Sequence, residues 1–193
     1  MEKKILINIG RQFGAGGKGV AAILGERLGI PVYDNELLLK AAEESGLSPG
    51  MFRRSDERKR FFSMAYAPSA IDGAELFRFQ SEAIRDIAAK GSAIFVGRAS
   101  DYVLRDMECI SVFICAPLED RVKRVCERTG MDAAEAQKYI LRKEKMRRDY
   151  YNFFTLGNWG VAANYDLCID SSLIGLDGCA DLIIEFGRKA GLL

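Results

Sequence analysis

Short runs of apolar residues alternate with amphipathic segments along most of the chain. The runs lack an alternation of apolar and polar positions, which is typical of strands covered on both faces of a parallel sheet. The segments between them repeat apolar residues every three or four positions, as helices do. This order predicts an α/β sandwich with right-handed crossovers. The predicted strands are Ile5–Ile9, Ile30–Tyr33, Ala93–Val96, Ile110–Cys115 and Tyr165–Ile169.

Capping residues and glycines place the predicted helices. Asp132 is an N-cap residue, and Gly91 and Gly130 follow helix ends. The passage between residues 35 and 92 has no convincing strand, so we expect a helical insertion at about 35–91 within one domain, 1–193. The predicted helices are Gly17–Leu28, Asn35–Glu44 (with Asp34 as its cap), Ala74–Ala89, Leu118–Arg128, Ala133–Tyr150 and Leu176–Lys189.

A glycine-rich loop that ends in a lysine follows the first predicted strand, and a helix begins at once. The loop amides and the positive end of the helix both attract an anion, and the lysine adds a full charge. Glycine lets the backbone approach phosphate closely. The loop therefore predicts a phosphate or nucleotide site. Its residues are Gly14, Ala15, Gly16, Gly17, Lys18 and Gly19.

The loop partly matches the P-loop form G-x-x-x-x-G-K-[ST]. Gly17 and Lys18 fit the central pair, whereas Gln12 occupies the first glycine position and Gly19 the hydroxyl position. This form predicts a nucleoside triphosphate whose terminal phosphates lie beside the lysine.

The same loop also contains the dinucleotide fingerprint G-x-G-x-x-G. Its glycines are Gly14, Gly16 and Gly19, and Asp34 follows at about the spacing of 20 residues that the fingerprint requires. The stretch between the strand and Gly14, together with a lysine inside the loop, favours the triphosphate. A glycine-rich turn without a ligand is the third alternative.

Arginines follow at places that suit phosphoryl transfer. Arg98 comes directly after a predicted strand, at the sheet edge where ligands bind, and Asp101 follows it. Arg124 lies on one helix, and Arg147 and Arg148 lie on a basic helix that leads into an aromatic, glycine-containing stretch. That stretch predicts a lid at about 145–164. The alternative for these charges is a solvated helix surface.

Composition narrows the class of protein. A formal net charge of +1, with 49% hydrophobic and 28% charged residues, predicts a globular domain without a nucleic-acid or membrane partner. Histidine is absent, which excludes histidine catalysis and histidine metal sites. The five cysteines form no C-x-x-C pair, and no transmembrane stretch or signal peptide is recognisable. These features predict a cytoplasmic protein.

Several segments together resemble the cytidylate kinase-like family. They are residues 10–18, 28–34, 96–104, 113–117 and 164–169. The resemblance implies a nucleoside monophosphate kinase fold with a P-loop, a helical monophosphate-binding region and a lid. We expect a three-layer sandwich around a five-stranded parallel sheet of order 2-3-1-4-5.

The resemblance also implies an activity, in which ATP phosphorylates CMP or dCMP with Mg²⁺. Residues 14–19 would hold the donor phosphates, and Asp34, Arg98 and Asp101 would face the acceptor. The catalytic side chains implied are Lys18, Arg98, Arg124, Arg147 and Arg148. The alternatives are a nucleotide-binding regulatory protein with little turnover and a dinucleotide-binding enzyme. An apolar patch of Phe61, Phe62, Met64 and Tyr66 is consistent either with part of the core or with the interface of a homo-oligomer.

The chain departs from the family at Val20, which stands where cytidylate kinases proper have threonine. We therefore expect no protein metal site, and Mg²⁺ held by phosphate oxygens and water with at most one outer carboxylate, such as Asp101. We expect Val20→Thr to keep or raise Mg²⁺-dependent turnover, because it restores an oxygen at the helix start. The competing expectation is that Val20 packs against the sheet, where a buried hydroxyl would cost stability.

Overall fold

The computed structural model describes residues 4–34 and 71–193. Its sheet has five strands in the order β2-β3-β1-β4-β5, and every neighbouring pair is parallel. The predicted fold and strand order are therefore confirmed. The strands are β1 Leu6–Arg11, β2 Val32–Tyr33, β3 Ala93–Val96, β4 Ile110–Cys115 and β5 Leu167–Asp170.

Helices connect the strands and cover both faces of the sheet. The α-helices are α1 Gly17–Leu28, α2 Ile71–Lys90, α3 Ser100–Val103, α4 Leu118–Thr129, α5 Ala133–Thr155 and α6 Ser171–Lys189, with a 3₁₀ turn at Ala162–Asn164. The predicted helix Asn35–Glu44, most of the predicted insertion and the apolar patch at 61–66 lie outside the described residues. None of the described helices has the length and apolar character to cross a membrane.

Most predicted boundaries lie within three residues of the observed ones, and the largest difference has an identifiable reason. The predicted end of α5 at Tyr150 is too early, because the helix continues to Thr155 through aromatic residues that pack on α2. α6 includes a first turn from Ser171, where the Asp170 side chain accepts from the Ser172 amide, and the predicted start at Leu176 coincides with the longer segment that follows the break. The helix is broken at Gly175, where φ is 69°.

The core consists of two apolar layers, one on each face of the sheet. Alternate residues of β1 belong to different layers, with Ile7 and Ile9 on one face of the sheet and Leu6 on the other. Helices α1 and α6 cover the first face, and α2 and α3 cover the second. A smaller apolar cluster joins α4 to α5 through Val125, Ala136 and Ile140. This packing fixes the carboxyl end of the central strand β1, where the glycine loop begins.

Val20 lies in the first core layer with a side chain that is 0% exposed. This burial goes against the expected gain in turnover and supports the competing expectation, because the side chain packs against the sheet and does not face the loop. The neighbouring residue Gly19, and not Val20, lines the cavity beside the loop.

We predict that Val20→Thr lowers the free energy of unfolding by about 1–3 kcal/mol, because the new hydroxyl is buried in an apolar layer. Chemical denaturation measures this change. The control is Val161→Thr, the same substitution at a side chain that is 45% exposed. Equal stability of the two variants would contradict the packing described for Val20.

Candidate functional site

The glycine loop has a backbone shape that requires glycine at two positions. Gly14 and Gly16 have φ values of 85° and 86°, in the left-handed region that other residues rarely adopt. Gly14 also lies against α4, since a Cβ there would stand 3.1 Å from the Arg121 carbonyl oxygen. Gly16 is the N-cap of α1, and no described side chain caps that helix. The first amides of α1 are therefore available to an anion.

A buried ion pair holds the loop against α4 and α5. The Arg121 guanidinium donates to Glu144 Oε1 at 2.7 Å, and the two side chains are only 7% and 11% exposed. Arg121 also donates to the Ala116 carbonyl at 2.9 Å, and Glu144 Oε1 accepts from the Phe13 amide at 3.3 Å. Gln12 completes the attachment by accepting from the Ala116 amide at 3.1 Å. The pair thus fixes the loop backbone.

A cavity of about 560 Å³, called here the loop cavity, opens beside this loop. Its volume lies within the range of small-molecule sites. Asp34 is the single acid among the described residues that line it, whereas six lining side chains are basic. The lining therefore favours a polyanion. The basic residues are Arg11, Lys18, Arg124, Arg128, Lys143 and Arg147.

Lys18 and Asp34 form an ion pair at the rim of the loop cavity. The Lys18 Nζ lies 2.6 Å from Asp34 Oδ2, and the lysine side chain is 68% exposed. An exposed pair of this kind contributes little to stability. The ammonium is therefore available to a phosphate that competes with the carboxylate.

Arg124 connects the loop to the turn between β5 and α6. It donates to the Ser171 hydroxyl at 2.9 Å and to the Ser171 carbonyl at 3.2 Å. The Ser171 hydroxyl in turn donates to the Ala15 carbonyl at 2.7 Å. Arg124 therefore holds the two turns together while it lines the loop cavity.

A second, smaller pocket lies at the carboxyl ends of β1 and β3. Its volume is about 30 Å³, and Arg11, Arg98 and Arg147 all line it, so we call it the arginine pocket. Arg98 is 8% exposed, has a φ of 61°, and lies with its Cζ 5.4 Å from the centre of the Tyr150 ring. Such backbone conformations are strained in residues other than glycine and are concentrated at functional sites.

Asp101 lies in the arginine pocket and accepts a hydrogen bond from the Tyr151 hydroxyl at 2.7 Å. Burial raises the pKa of this carboxyl above its ordinary value of 3.8, although the bond from Tyr151 acts in the opposite direction. Burial and the nearby Asp101 charge also raise the pKa values of Tyr151 and Tyr165. Both phenols therefore stay protonated in the physiological range.

The structure brings most of the predicted site residues together. Lys18, Asp34 and Arg124 line the loop cavity, Arg98 and Asp101 line the arginine pocket, and Arg147 lines both. The glycine loop lines the loop cavity through Gly14, Gly16, Gly17 and Gly19, while Ala15 is buried beside it.

Arg148 is the exception among the predicted arginines. Its side chain is exposed and lines neither cavity. Adjacent residues of a helix point about 100° apart, so the orientation that brings Arg147 to the loop turns Arg148 away from it. The predicted lid at about 145–164 begins inside the continuous helix α5.

Arg11 and the buried pair of Arg121 and Glu144 were not among the predicted site residues. Arg11 ends β1 and lines both cavities. Arg11 could have been predicted from its position near the end of a strand, which is the feature that identified Arg98. Arg121 and Glu144 lie on different helices, so spacing along the chain does not indicate that they pair.

The residues that are described include no group of three or more acids or cysteines placed to hold a metal ion. Asp101 does not stand where an outer metal contact was expected, because it lines the arginine pocket and not the loop cavity. Asp34 is the carboxylate beside the loop. This lining fits a metal that arrives with nucleotide phosphates and keeps most of its waters.

The strand order argues against the dinucleotide alternative. In the dinucleotide-binding fold, β2 lies directly beside β1, so that its terminal acid reaches the ribose. Here β3 lies between β2 and β1. Asp34 therefore follows a strand that is separated from β1, and it meets Lys18 of the loop.

Comparisons with known proteins agree with this fold. Residues 6–173 match the model of the cytidylate kinase-like family. A cytidylate kinase from Methanopyrus kandleri is 29% identical over 178 residues, which cover 87% of this chain and 85% of the relative. A cytidylate kinase from Aeropyrum pernix is 25% identical over 93% of this chain and 96% of the relative.

Solved structures share the fold over nearly the whole length. The crystal structure of an uncharacterized protein from Eubacterium ventriosum is 34% identical with a TM-score of 0.79, covering 97% of this chain and 99% of that chain. Shikimate kinase from Bacteroides thetaiotaomicron has a TM-score of 0.56 at 11% identity, covering 97% of this chain and 98% of that chain, which shows the shared fold alone.

We predict that Glu144→Ala lowers the free energy of unfolding by about 3–5 kcal/mol, because it leaves the Arg121 charge buried without its partner. Glu144→Gln keeps an acceptor oxygen for the Phe13 amide and should lower the free energy of unfolding by less. Denaturant titration compares both with Glu127→Ala, an exposed position on α4 where the change should stay within about 0.5 kcal/mol. A Glu144→Ala cost no larger than that control would show that the pair does not fix the loop.

A second prediction concerns the pH dependence of stability at Asp101. Because the folded state raises the pKa of this acid, its protonated form contributes stability at low pH that is lost as the pH rises from 3.8 through the raised value. Asp101→Asn keeps an acceptor oxygen for Tyr151 without the charge. We expect the variant to gain stability relative to the native chain as the pH rises, in denaturation curves measured at several pH values.

The control for that experiment is Asp106→Asn, the same substitution at a side chain that is 84% exposed. A gain at Asp101 that stays constant with pH, or reverses, would contradict the burial of an ionised carboxyl in the arginine pocket.

Proposed function

The chain belongs to the cytidylate kinase-like family, and we propose that it transfers the γ-phosphoryl group of ATP to a cytidine monophosphate, CMP or dCMP. The observation that carries this proposal is the pair of adjoining cavities. One is large, basic and built on the glycine loop, and the other is small and lined by arginines. The relatives named cytidylate kinase support cytidine as the acceptor nucleoside.

ATP would occupy the loop cavity. The amides at the start of α1 and the Lys18 ammonium bind its phosphates, and Arg124 lies beside them. Mg²⁺ supplies further charge neutralisation when it is bound with the nucleotide phosphates. Asp34 would contact the water shell of the metal, since it lines the same cavity.

The acceptor phosphate would occupy the arginine pocket, between Arg98 and Arg147, with Asp101 facing the rest of the acceptor. Asp34, which was also predicted to face the acceptor, lines the loop cavity instead. A volume of about 30 Å³ holds no more than a few water molecules. The acceptor therefore needs a wider pocket, and outward movement of Tyr151 and Trp159, which line it, would provide the space. Movement of the segment at about 145–164 as a lid meets this requirement.

The reaction needs positioning and positive charge more than acid–base chemistry. The acceptor phosphate oxygen forms a bond to the γ-phosphorus, and the bond from that phosphorus to the β-bridging oxygen breaks. The electron pair of the broken bond stays on ADP, and the ionised acceptor has no proton to lose. Lys18, Arg98, Arg124 and Arg147 stabilise the charge on the transferred group. Arg148 joins them only if lid closure turns α5.

A second candidate is a regulatory nucleotide-binding protein with little turnover. The absence of a hydroxyl at Gly19 favours it. Both candidates require ATP binding in the loop cavity, so turnover distinguishes them.

We predict ATP-dependent formation of CDP or dCDP in a coupled assay that presents CMP, dCMP, UMP, AMP and GMP in turn. The acceptor that gives the highest kcat/KM should be a cytidine nucleotide. ATP binding without turnover on any acceptor would favour the regulatory protein and refute the kinase proposal.

We also predict that Lys18→Ala lowers kcat/KM for ATP by about 10²-fold or more, because it removes a full charge from the donor phosphates. Thermal denaturation should show little loss of stability, since Lys18 is exposed. The matched control is Lys123→Ala, an exposed lysine on α4 that lines neither cavity. An unchanged rate for Lys18→Ala would remove this lysine from the mechanism.

A further inference from the structure

We propose that Arg11 contacts the transferred phosphoryl group and stabilises its charge in the transition state, a role that the loop lysine alone does not fill. The inference rests on the proposed kinase activity and deepens it. It concerns a residue outside the glycine loop, at the end of the central strand β1.

The first observation is the position of Arg11 between the two cavities. Among the described lining residues, Arg11 and Arg147 are the two that the loop cavity and the arginine pocket share. The two are joined, since Arg147 Nη1 donates to the Arg11 carbonyl at 3.2 Å. A phosphoryl group that leaves ATP in one cavity for an acceptor in the other must pass this boundary.

The second observation is a slot built from glycines on two different turns. A Cβ at Gly17 would stand 2.7 Å from Arg11 Cβ and 2.9 Å from its Cγ. At Gly97, where φ is 77°, a Cβ would collide with Arg11 Nη1. The turns after β1 and after β3 therefore both lack side chains where the arginine passes. This arrangement fixes the guanidinium at the sheet edge and lowers the entropy that it loses on binding phosphate.

The third observation is the different position of Lys18. Its ammonium lies at an exposed rim with Asp34 and lines the loop cavity but not the arginine pocket. Lys18 thus suits the donor phosphates, whereas Arg11 suits the group in transit. Charge develops on the equatorial oxygens of that group while the bond to ADP breaks and the bond to the acceptor forms. A guanidinium can donate two hydrogen bonds to them at once.

The test uses Arg11→Lys, which keeps the charge but loses the planar fork, and Arg11→Met, which loses both. We expect kcat to fall by about 10²-fold or more in both, with the KM for ATP changed less than about threefold. Arg188→Lys is the matched control, because it is the same exchange at an exposed position in the last turn of α6. Gly97→Ala keeps Arg11 but displaces its guanidinium, and it should lower kcat in the same way.

Binding measurements separate this role from a structural one. Calorimetry should show that Arg11→Lys weakens a bisubstrate analogue, adenosine and cytidine joined by five phosphates, by at least about tenfold while ATP binding changes little. An equal loss of affinity for ATP and for the bisubstrate analogue, or a native kcat in Arg11→Lys, would overturn the role of Arg11 and leave the kinase proposal intact. A native chain that turns over no acceptor would overturn both.

Discussion

The buried ion pair between Arg121 and Glu144 is the contact on which the candidate site depends. Burying two charges is costly, and the cost is offset only where geometry and further hydrogen bonds are favourable. Here the guanidinium also reaches the Ala116 carbonyl, and the carboxylate accepts from the Phe13 amide. One pair therefore joins the glycine loop, α4 and α5, and it fixes where the basic side chains of both helices stand.

The parallel sheet supplies the second constraint, because the carboxyl ends of all its strands meet at one edge. The glycine loop follows β1, the turn with Gly97 and Arg98 follows β3, and Ser171 follows β5. Ser171 and Arg124 then tie two of these turns together. Two cavities form side by side at this edge, with Arg11 at the boundary because it ends the central strand.

Much of the fold was predictable from local pattern, because buried parallel strands are short apolar runs and glycines end helices. Ala93–Val96 and Ile110–Cys115 were predicted at their observed bounds. The glycine loop was also predictable, since its backbone shape depends on consecutive residues. The predictions were less accurate for side chains whose positions depend on contacts between several elements. Arg148 was grouped with Arg147 by proximity in sequence, although the turn of the helix separates their directions.

The residues that sequence reasoning missed have partners far along the chain. Glu144 meets Arg121 and the Phe13 amide across three elements, and the Arg11 guanidinium lies against Gly97 on a distant turn. The orientation of Val20 depends on how α1 packs against the sheet, which spacing to the loop does not indicate. These features follow from tertiary packing and not from local propensity.

The central claim is that the loop cavity binds the phosphates of a nucleoside triphosphate. Calorimetric titration of the native chain with ATP, ADP, AMP and NAD⁺ at fixed salt tests it most directly. The account predicts that affinity falls in the order ATP, ADP, AMP as phosphates are removed, and that it weakens as ionic strength rises. AMP binding as tight as ATP binding, or tight binding of NAD⁺ in its place, would contradict it.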